Sequence, residues 1–282
     1  MTREELLAKH GILKPVLDHG HVTFVDYMGD DKAVVDMARK SYGQGTKSVS
    51  DDEVLLRYLM RNHHSGPFEG VVAKFIIKCP IFVARQLMRH RTGAYDEVSL
   101  RYSEAEEEFW TPDEMPTQAK DNKQGSGAPL AQDASDLLRA DFAKSYHDNY
   151  ALYKHAREQG VSREVARVVL PVATYTEYYF VMNLRNLLHL LWLRVDGHAQ
   201  KQTRAYAEAI CEVIQDWLPQ TWQAFVDYEL EAVKLSRLEV NALRLAVANA
   251  GISVTDVLAL FESKNRRERD EFTAKLGKLG VG

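Results

Sequence analysis

The chain has 282 residues, of which 45% are hydrophobic and 27% charged, and its 36 Lys+Arg against 40 Asp+Glu give a formal net charge of −4. These values are typical of a soluble globular chain and exclude an intrinsically disordered protein, while two cysteines exclude a disulfide scaffold. The mildly acidic total also excludes a protein that attracts nucleic acid or anionic membranes over its whole surface.

The start of the chain and its apolar segments favour a cytoplasmic protein. The first residues carry mixed charge without an apolar run, so no secretory signal is predicted. The most apolar stretch, 71–88, contains two lysines and one arginine, which are too costly for a membrane span. Cys79 and Cys211 lie far apart among apolar neighbours and are interpreted as reduced core residues, not nucleophiles.

Apolar periodicity predicts a chain with more helices than strands. Strands are predicted at 22–25, 71–79 and 174–182. Helices are predicted at 51–59 with Asp51 as the N-cap, at 80–88, 131–158, 163–170, 183–194 and 199–218, with two more after residue 228. The polar, Gly- and Pro-rich segment 116–130 is predicted to be a loop or insertion. Since strands and helices do not alternate regularly, we predict an α+β fold, helix-rich with a small mixed or antiparallel sheet.

The densest polar cluster is RQLMRHRTGAYDEVSLRY, residues 85–102. Gln86 and Arg89 are three positions apart and share a helix face if the helix persists. Guanidinium groups at a helix end, followed by loop amides and the Ser99 hydroxyl, suit a phosphate dianion. A solvated basic surface with ordinary ion pairs remains the alternative.

Two further segments place arginine at helical spacing. Arg163 and Arg167 share one face of a short helix, and taken alone this spacing favours a capped surface helix with an ion pair. The segment 183–198 is so apolar that a buried arginine on it needs an anionic partner. That partner is either a protein carboxylate or a ligand.

The adjacent pair His63 and His64 suggests a metal site only weakly. Neighbouring residues point apart on a helix, and their spacing matches no zinc pattern. Capping of helix-end carbonyls is the alternative for these histidines, and no metal site is predicted.

The segment Arg89-His90-Arg91, followed after seven residues by Ser99, resembles the signature of flavin-dependent thymidylate synthases. Four blocks resemble that family in the expected order: YLMRNHHSGPFE (58–69), PIFVARQLMRHR (80–91), REVARVVLP (163–171) and LRVDGHAQ (193–200). The likeness covers about residues 20–228. Ala94, Asp96 and His189 depart from the fuller family pattern.

The resemblance implies the thymidylate synthase-complementing protein fold and a homotetramer with sites shared between subunits. It implies reductive methylation of dUMP to dTMP, in which 5,10-methylenetetrahydrofolate supplies the carbon and FAD, reduced by NADPH, supplies the hydride. This chemistry needs no cysteine nucleophile, and no nucleic-acid or membrane partner is expected. The catalytic domain is expected over 1–228, with an insertion near 116–130 and a helical extension over 229–282.

The resemblance also implies residue roles. Arg194 and Ser99 are the expected catalytic-site residues, Arg194 stabilising ionised uracil and Ser99 positioning it. The expected dUMP contacts are Gln86, Leu87, Met88, Arg89, Glu97, Val98, Ser99, Leu100, Arg101, Arg167 and Arg194. The expected FAD contacts are His64, Gly66, Arg89, His90, Arg91, Glu97, Asn183, Leu184, Arg185 and His189.

Two other functional classes compete with this enzyme. An RNA- or DNA-binding module would use the 89–101 segment and the basic tail, but the acidic total and the lack of a nucleic-acid-binding signature disfavour it. A non-catalytic flavin or nucleotide binder would keep the fold, but the presence of Ser99, Arg167 and Arg194 argues for an enzyme.

Overall fold

A computed structural model describes residues 1–40, 52–120 and 123–281, so that Asp51 lies outside the described residues. The chain divides into two compact units, Met1–Phe225 and Val226–Gly282. No helix in these described ranges is long and apolar enough to cross a membrane.

The first unit is built on an antiparallel sheet. Its five strands lie in the order β1-β2-β3-β7-β4, and every neighbouring pair is antiparallel. Two further strands, β5 and β6, form a separate hairpin in the segment predicted as a loop. The strands are β1 (Lys14–Val16), β2 (Gly20–Met28), β3 (Val72–Pro80), β4 (Ala94–Glu97), β5 (Pro116–Gln118), β6 (Ser126–Pro129) and β7 (Tyr175–Asn183).

Helices pack against this sheet and confirm the helix-rich α+β prediction. Those of the first unit are α1 (Arg3–His10), α2 (Asp31–Lys40), α3 (Asp52–Arg61), α4 (Ile81–Leu87), α5 (Gln132–Glu158), α6 (Arg163–Ala166), α7 (Leu184–Val195), α8 (Lys201–Trp217) and α9 (Pro219–Phe225). Single 3-10 turns occupy Gly66–Gly70 and Arg167–Val169. Buried side chains alternate along β3 and β7, as the period of a half-buried strand requires.

An aromatic row fixes the register of four strands. Phe24 pairs with Phe75, Phe75 with Phe180, and Phe180 with Tyr95. Their ring centroids lie 5.2, 6.2 and 5.3 Å apart, respectively. Because a slip of one residue would turn each ring to the opposite face, this row holds the short edge strand β4 in place.

Two predicted helices are present but differ in detail from the prediction. The helix after Pro80 ends at Leu87, so Arg89 does not continue the face that carries Gln86. The helix predicted over 163–170 is one α-turn followed by a 3-10 turn, and the Ser162 side chain makes no capping hydrogen bond.

The second unit is helical. It begins with a π-helical turn, Val226–Leu230, and continues with α10 (Arg237–Ala250), α11 (Val254–Ala259) and α12 (Arg266–Leu279). Three α-helices therefore stand, among the described residues, where two were predicted. Arg269 ties α12 to the end of α11, since its guanidinium donates to the carbonyls of Leu258 and Phe261, each at 2.9 Å.

Candidate active site

A cavity of about 370 Å³ opens where α4, the segment after β4, the 3-10 turn after α6 and the start of β7 meet. Its walls include five of the residues expected to contact dUMP: Met88, Glu97, Val98, Leu100 and Arg167. Segments far apart in sequence are thus brought to one site. Leu87, also expected there, is buried, so its side chain faces the core instead.

The segment after β4 is anchored to β7 by side-chain and backbone contacts. Thr176 Oγ1 donates to Glu97 Oε1 over 2.7 Å, and the Val98 N–H donates to the Glu177 carbonyl over 2.9 Å. Ser99 then begins a turn in which its carbonyl accepts from the Tyr102 N–H at 2.9 Å. These contacts hold Glu97 and Val98 against the cavity.

The turn that carries Arg89-His90-Arg91 lies close against the sheet. Tyr95 Oη donates to the carbonyls of His90, at 2.8 Å, and Leu87, at 3.2 Å. A Cβ atom at Gly93 would lie 2.8 Å from Tyr95 Oη and 2.9 Å from Phe180 Cε2, so only glycine fits without displacement. This close approach fixes the path of the chain between α4 and β4.

Several arginines of the expected site lack a carboxylate partner among the described residues. In the part of the chain that the structure describes, no carboxylate forms an ion pair with any of four arginines: Arg85, Arg89, Arg91 and Arg167. Two of them, Arg85 and Arg167, line the cavity, and unpaired guanidinium groups favour the binding of an anion.

Arg194 is half-buried near the end of α7. Its Nε donates to His90 Nε2 over 3.1 Å and its terminal nitrogen donates to the Gln86 carbonyl over 3.2 Å. Burial, and then the charge of Arg89, lower the Arg194 pKa. Since no carboxylate in the described ranges pairs with it, the ligand is the favoured anionic partner of the two considered.

His90 is a neutral acceptor for this arginine. Burial, followed by the charges of Arg194 and His189, lowers the pKa of His90 to about 4. Its Nε2 therefore carries a lone pair at neutral pH, which places the proton on Nδ1. The His189 ring lies edge-on to it, with centroids 6.4 Å apart.

A third group of expected residues surrounds the start of α7. Arg185 pairs with Glu69 over 2.6 Å. Asn183 caps α7, because its side-chain oxygen accepts from the Asn186 N–H at 3.0 Å. Leu184 is fully buried, so that its side chain packs in the core.

Open space and exposed aromatic and cationic groups at these positions suit a flavin. A Cβ atom at Gly66 would meet no atom within 4 Å. His64 and His189 are exposed, as are Arg89 and Arg91. Planar rings and guanidinium groups are the partners that a dinucleotide with an aromatic ring system and a pyrophosphate requires.

Four residues of these groups were not assigned from the sequence. Arg85 and Thr176 line the cavity, Tyr95 supports the turn, and the Gln200 amide oxygen accepts a hydrogen bond from Gln86 Nε2. Arg85 belongs to the basic cluster and Gln200 ends the block LRVDGHAQ, so both carried a signal. Tyr95 and Thr176 become identifiable only through partners on other elements.

Among the described residues, neither the cysteines nor a cluster of acidic and imidazole groups forms a competing centre. Burial raises the pKa of both Cys79 and Cys211 to about 12, so neither thiol is ionised near neutrality. Among residues 1–40, 52–120 and 123–281, no three His, Cys, Asp or Glu side chains form a group able to hold a metal ion.

Fold and site together define a helix-rich α+β protein with an arginine-lined cavity beside the edge strand of its sheet. The family model described as "Thymidylate synthase complementing protein" matches residues 23–220. The chain is 51% identical over 231 residues to a flavin-dependent thymidylate synthase of Thermus thermophilus, covering 82% of this chain and 84% of that protein. It is 45% identical over 260 residues to the enzyme of the same name from Ruegeria pomeroyi, covering 90% and 85%.

A solved structure gives the same result. The crystal structure of the UMP/dUMP methylase PolB from Streptomyces cacaoi, bound with 5-Br dUMP, matches with a TM-score of 0.69 and 31% identity, covering 76% of this chain and 98% of that one. The chain therefore belongs to the flavin-dependent thymidylate synthase family and is an enzyme of that family.

Proposed function

We propose that the protein catalyses the reductive methylation of dUMP to dTMP. The carbon donor in this proposal is 5,10-methylenetetrahydrofolate, and NADPH is the reductant. Arg194 carries the proposal, because its half-buried guanidinium has no carboxylate partner in the described ranges and the charge of Arg89 acts on it. The names of the relatives, thymidylate synthases and a UMP/dUMP methylase, supply the reaction class.

FAD, when bound, supplies the hydride that completes the methyl group. The residues proposed to hold it are His64, Gly66, Arg89, His90, Arg91, Glu97, Asn183, Leu184, Arg185 and His189. Arg89 and Arg91 are suited to the pyrophosphate, since both are exposed and form no ion pair with a described carboxylate. Leu184 can contribute only through its backbone, because its side chain is buried.

Arg194 stabilises the ionised uracil ring. A guanidinium against the imide of uracil favours the anion, which makes carbon 5 more nucleophilic. His90 and the Gln86 carbonyl take two of the N–H donors of Arg194, so the other donors remain for the substrate. A hydrogen-bond donor that is already oriented costs little reorganisation free energy when charge develops in the transition state, which is the basis of electrostatic catalysis.

Ser99 positions the nucleotide and does not attack it. Its Oγ accepts from the Arg101 N–H at 3.3 Å, and no base within the described ranges contacts this hydroxyl. A serine nucleophile needs an adjacent general base. Ser99 therefore helps to close the nucleotide site together with its neighbours Glu97, Val98 and Leu100.

The proposal includes a homotetramer with shared sites, in the cytoplasm. Around Arg167, the side chains of Val165, Val168 and Val172 are 53%, 74% and 65% exposed. Apolar groups this exposed favour contact with another subunit. Catalysis is assigned to residues 1–228, and the extension 229–282 is placed outside the reaction centre.

The test is a dTMP-formation assay from which dUMP, methylenetetrahydrofolate, NADPH and FAD are each omitted in turn. Product is expected only with the full set, and purified protein is expected to be yellow and to bleach with NADPH. Colourless protein that cannot be reconstituted with FAD would contradict the proposal. Flavin bleaching without dTMP would identify a flavin binder that does not catalyse this reaction.

A further inference from the structure

The turn that begins at Ser99 is held from two sides. Before it, the Val98 N–H donates to the Glu177 carbonyl on β7. After it, Ala105 is buried, and both its backbone groups form hydrogen bonds to side chains. Because a buried N–H or C=O group must find a hydrogen-bond partner, these two contacts fix the path of the chain beyond the turn.

Two tyrosines of α5 supply the partners of Ala105. Tyr153 Oη accepts from the Ala105 N–H at 3.1 Å, and Tyr150 Oη donates to the Ala105 carbonyl at 3.1 Å. These two residues, the tyrosine pair, lie three positions apart on one helix face, with ring centroids 5.9 Å apart. The tyrosine pair therefore holds both polar backbone groups of a single residue.

The same residues belong to a small hydrophobic core that adjoins the cavity. Ala105, Tyr153 and Ala166 are its buried members. Leu100 and Leu170 pack against this core and also line the cavity. Since close-packed side chains transmit displacements to their neighbours, a change at the tyrosine pair alters the cavity wall.

Ion pairs at neighbouring positions add little to this anchor. Arg101, although expected to contact dUMP, pairs with Glu164 over 3.2 Å and does not line the cavity. Glu104 pairs with Lys154 over 3.3 Å. These four side chains are 43% to 55% exposed, so solvent and salt screen both ion pairs. The hydrogen bonds of the tyrosine pair are more buried and are therefore the stronger anchor.

We propose that Tyr150 and Tyr153 are positioning residues for the nucleotide substrate. They act through Ala105 on Ser99 and Leu100, and neither tyrosine lines the cavity. This inference rests on the proposed function, because Ser99 and Leu100 are assigned there to the dUMP site. The tyrosine pair keeps this side of the site in its binding conformation before the nucleotide arrives. Its loss reduces the fraction of enzyme that is competent to bind, which weakens the apparent affinity for dUMP.

The experiment compares Tyr150→Phe and Tyr153→Phe with the matched control Tyr146→Phe. Each change keeps the ring and removes only the hydroxyl. Tyr146 lies on the same helix, and its hydroxyl forms no hydrogen bond within the described ranges. The Kd for dUMP, measured by equilibrium dialysis with the FAD-loaded enzyme, should rise roughly threefold to tenfold in the first two variants and not in the control. The Kd for FAD should stay within about twofold in all three, because the proposed FAD contacts lie outside residues 98–107.

A second readout does not depend on any ligand. Amide hydrogen exchange over residues 99–105 should be faster in Tyr150→Phe and Tyr153→Phe than in the control, because the anchor after the turn is weakened. Unchanged exchange in this segment overturns the proposal. If Tyr153→Phe fails to fold, Tyr150→Phe decides alone, since Tyr150 is only partly buried.

The binding results separate positioning from a general effect on stability. A lower free energy of unfolding with an unchanged Kd for dUMP overturns the proposal, and so does an equal rise in the Kd for dUMP and for FAD. A wild-type enzyme that binds dUMP but forms no dTMP would refute the proposed reaction and leave the positioning role standing. A wild-type enzyme that binds no dUMP would overturn both.

Discussion

The Nε atom of Arg194 donates a hydrogen bond to Nε2 of His90 over 3.1 Å, which joins the end of α7 to the turn after α4. The direction of this bond requires a neutral His90, and the surroundings of His90 lower its pKa to about 4. The orientation of the arginine therefore depends on the protonation state of a residue on another element.

Replacing Arg194 should remove the reaction and preserve the fold. For Arg194→Ala we expect dTMP formation to fall by at least about a hundredfold, as for the loss of a preorganised donor. Arg194→Lys should recover little, because a lysine cannot donate to His90 and to the substrate with the same geometry. The measurements are kcat and the thermal unfolding temperature. Near-normal turnover in Arg194→Ala would disprove the assigned role.

Acid should destabilise the protein through His90. Its folded pKa, about 4, lies below the ordinary histidine value of 6.5, so the folded state binds fewer protons between these values. The contribution of His90 to stability is therefore complete above pH 6.5 and is lost as the pH falls towards 4. Besides burial, Arg194 and His189 are the groups that lower this pKa.

The matched variant for this prediction is His90→Asn, which can accept a hydrogen bond but does not titrate. Its free energy of unfolding, measured with denaturant, should change less than that of the wild type between pH 6.5 and about 4. Parallel curves for the two proteins would show that His90 does not carry the effect.

Activity should survive the loss of both cysteines. Both thiols have a pKa raised to about 12 by burial, so neither is a thiolate near neutrality. The double variant Cys79→Ala, Cys211→Ala should retain dTMP formation, with unfolding free energy lower by roughly 1–3 kcal/mol from the lost packing. Loss of turnover in a protein that still folds and binds FAD would indicate a thiol nucleophile.

Tyr95→Phe should weaken the turn that carries Arg89-His90-Arg91. The hydroxyl donates to the carbonyls of His90 and Leu87, and the ring stacks on Phe180. Phenylalanine keeps the ring, so the expected loss of stability is only about 1 kcal/mol. The free energy of FAD binding should weaken by more than this loss of stability, because the turn presents residues proposed to contact FAD. Tyr146→Phe on α5 is a suitable comparison, and equal FAD affinity in both variants would contradict the prediction.

The three long strands β2, β3 and β7 were predictable because each is rich in aromatic or β-branched residues. The strands β1, β4, β5 and β6 were not predicted, since each has only three or four residues and lacks this composition. The end of α4 was not predictable, since the sequence continues with good helix formers. In the structure the hydroxyl of Tyr95 takes the carbonyls of Leu87 and His90 as hydrogen-bond acceptors. The family blocks identified residues that meet at the cavity. The pairing of Arg101 with Glu164 could not be derived from them, because it joins segments distant in sequence.

The junction between β7 and α7 has no spacer: the strand ends at Asn183 and the helix begins at Leu184. Thr176, near one end of this segment, faces the cavity, and Arg194, near the other, contacts His90. Inserting or deleting one residue after Asn183 would rotate α7 by about 100° relative to the strand. The number of residues between Thr176 and Arg194 is therefore as constrained as the identity of these two residues. The residues that lie between them should tolerate substitution far more readily than insertion or deletion.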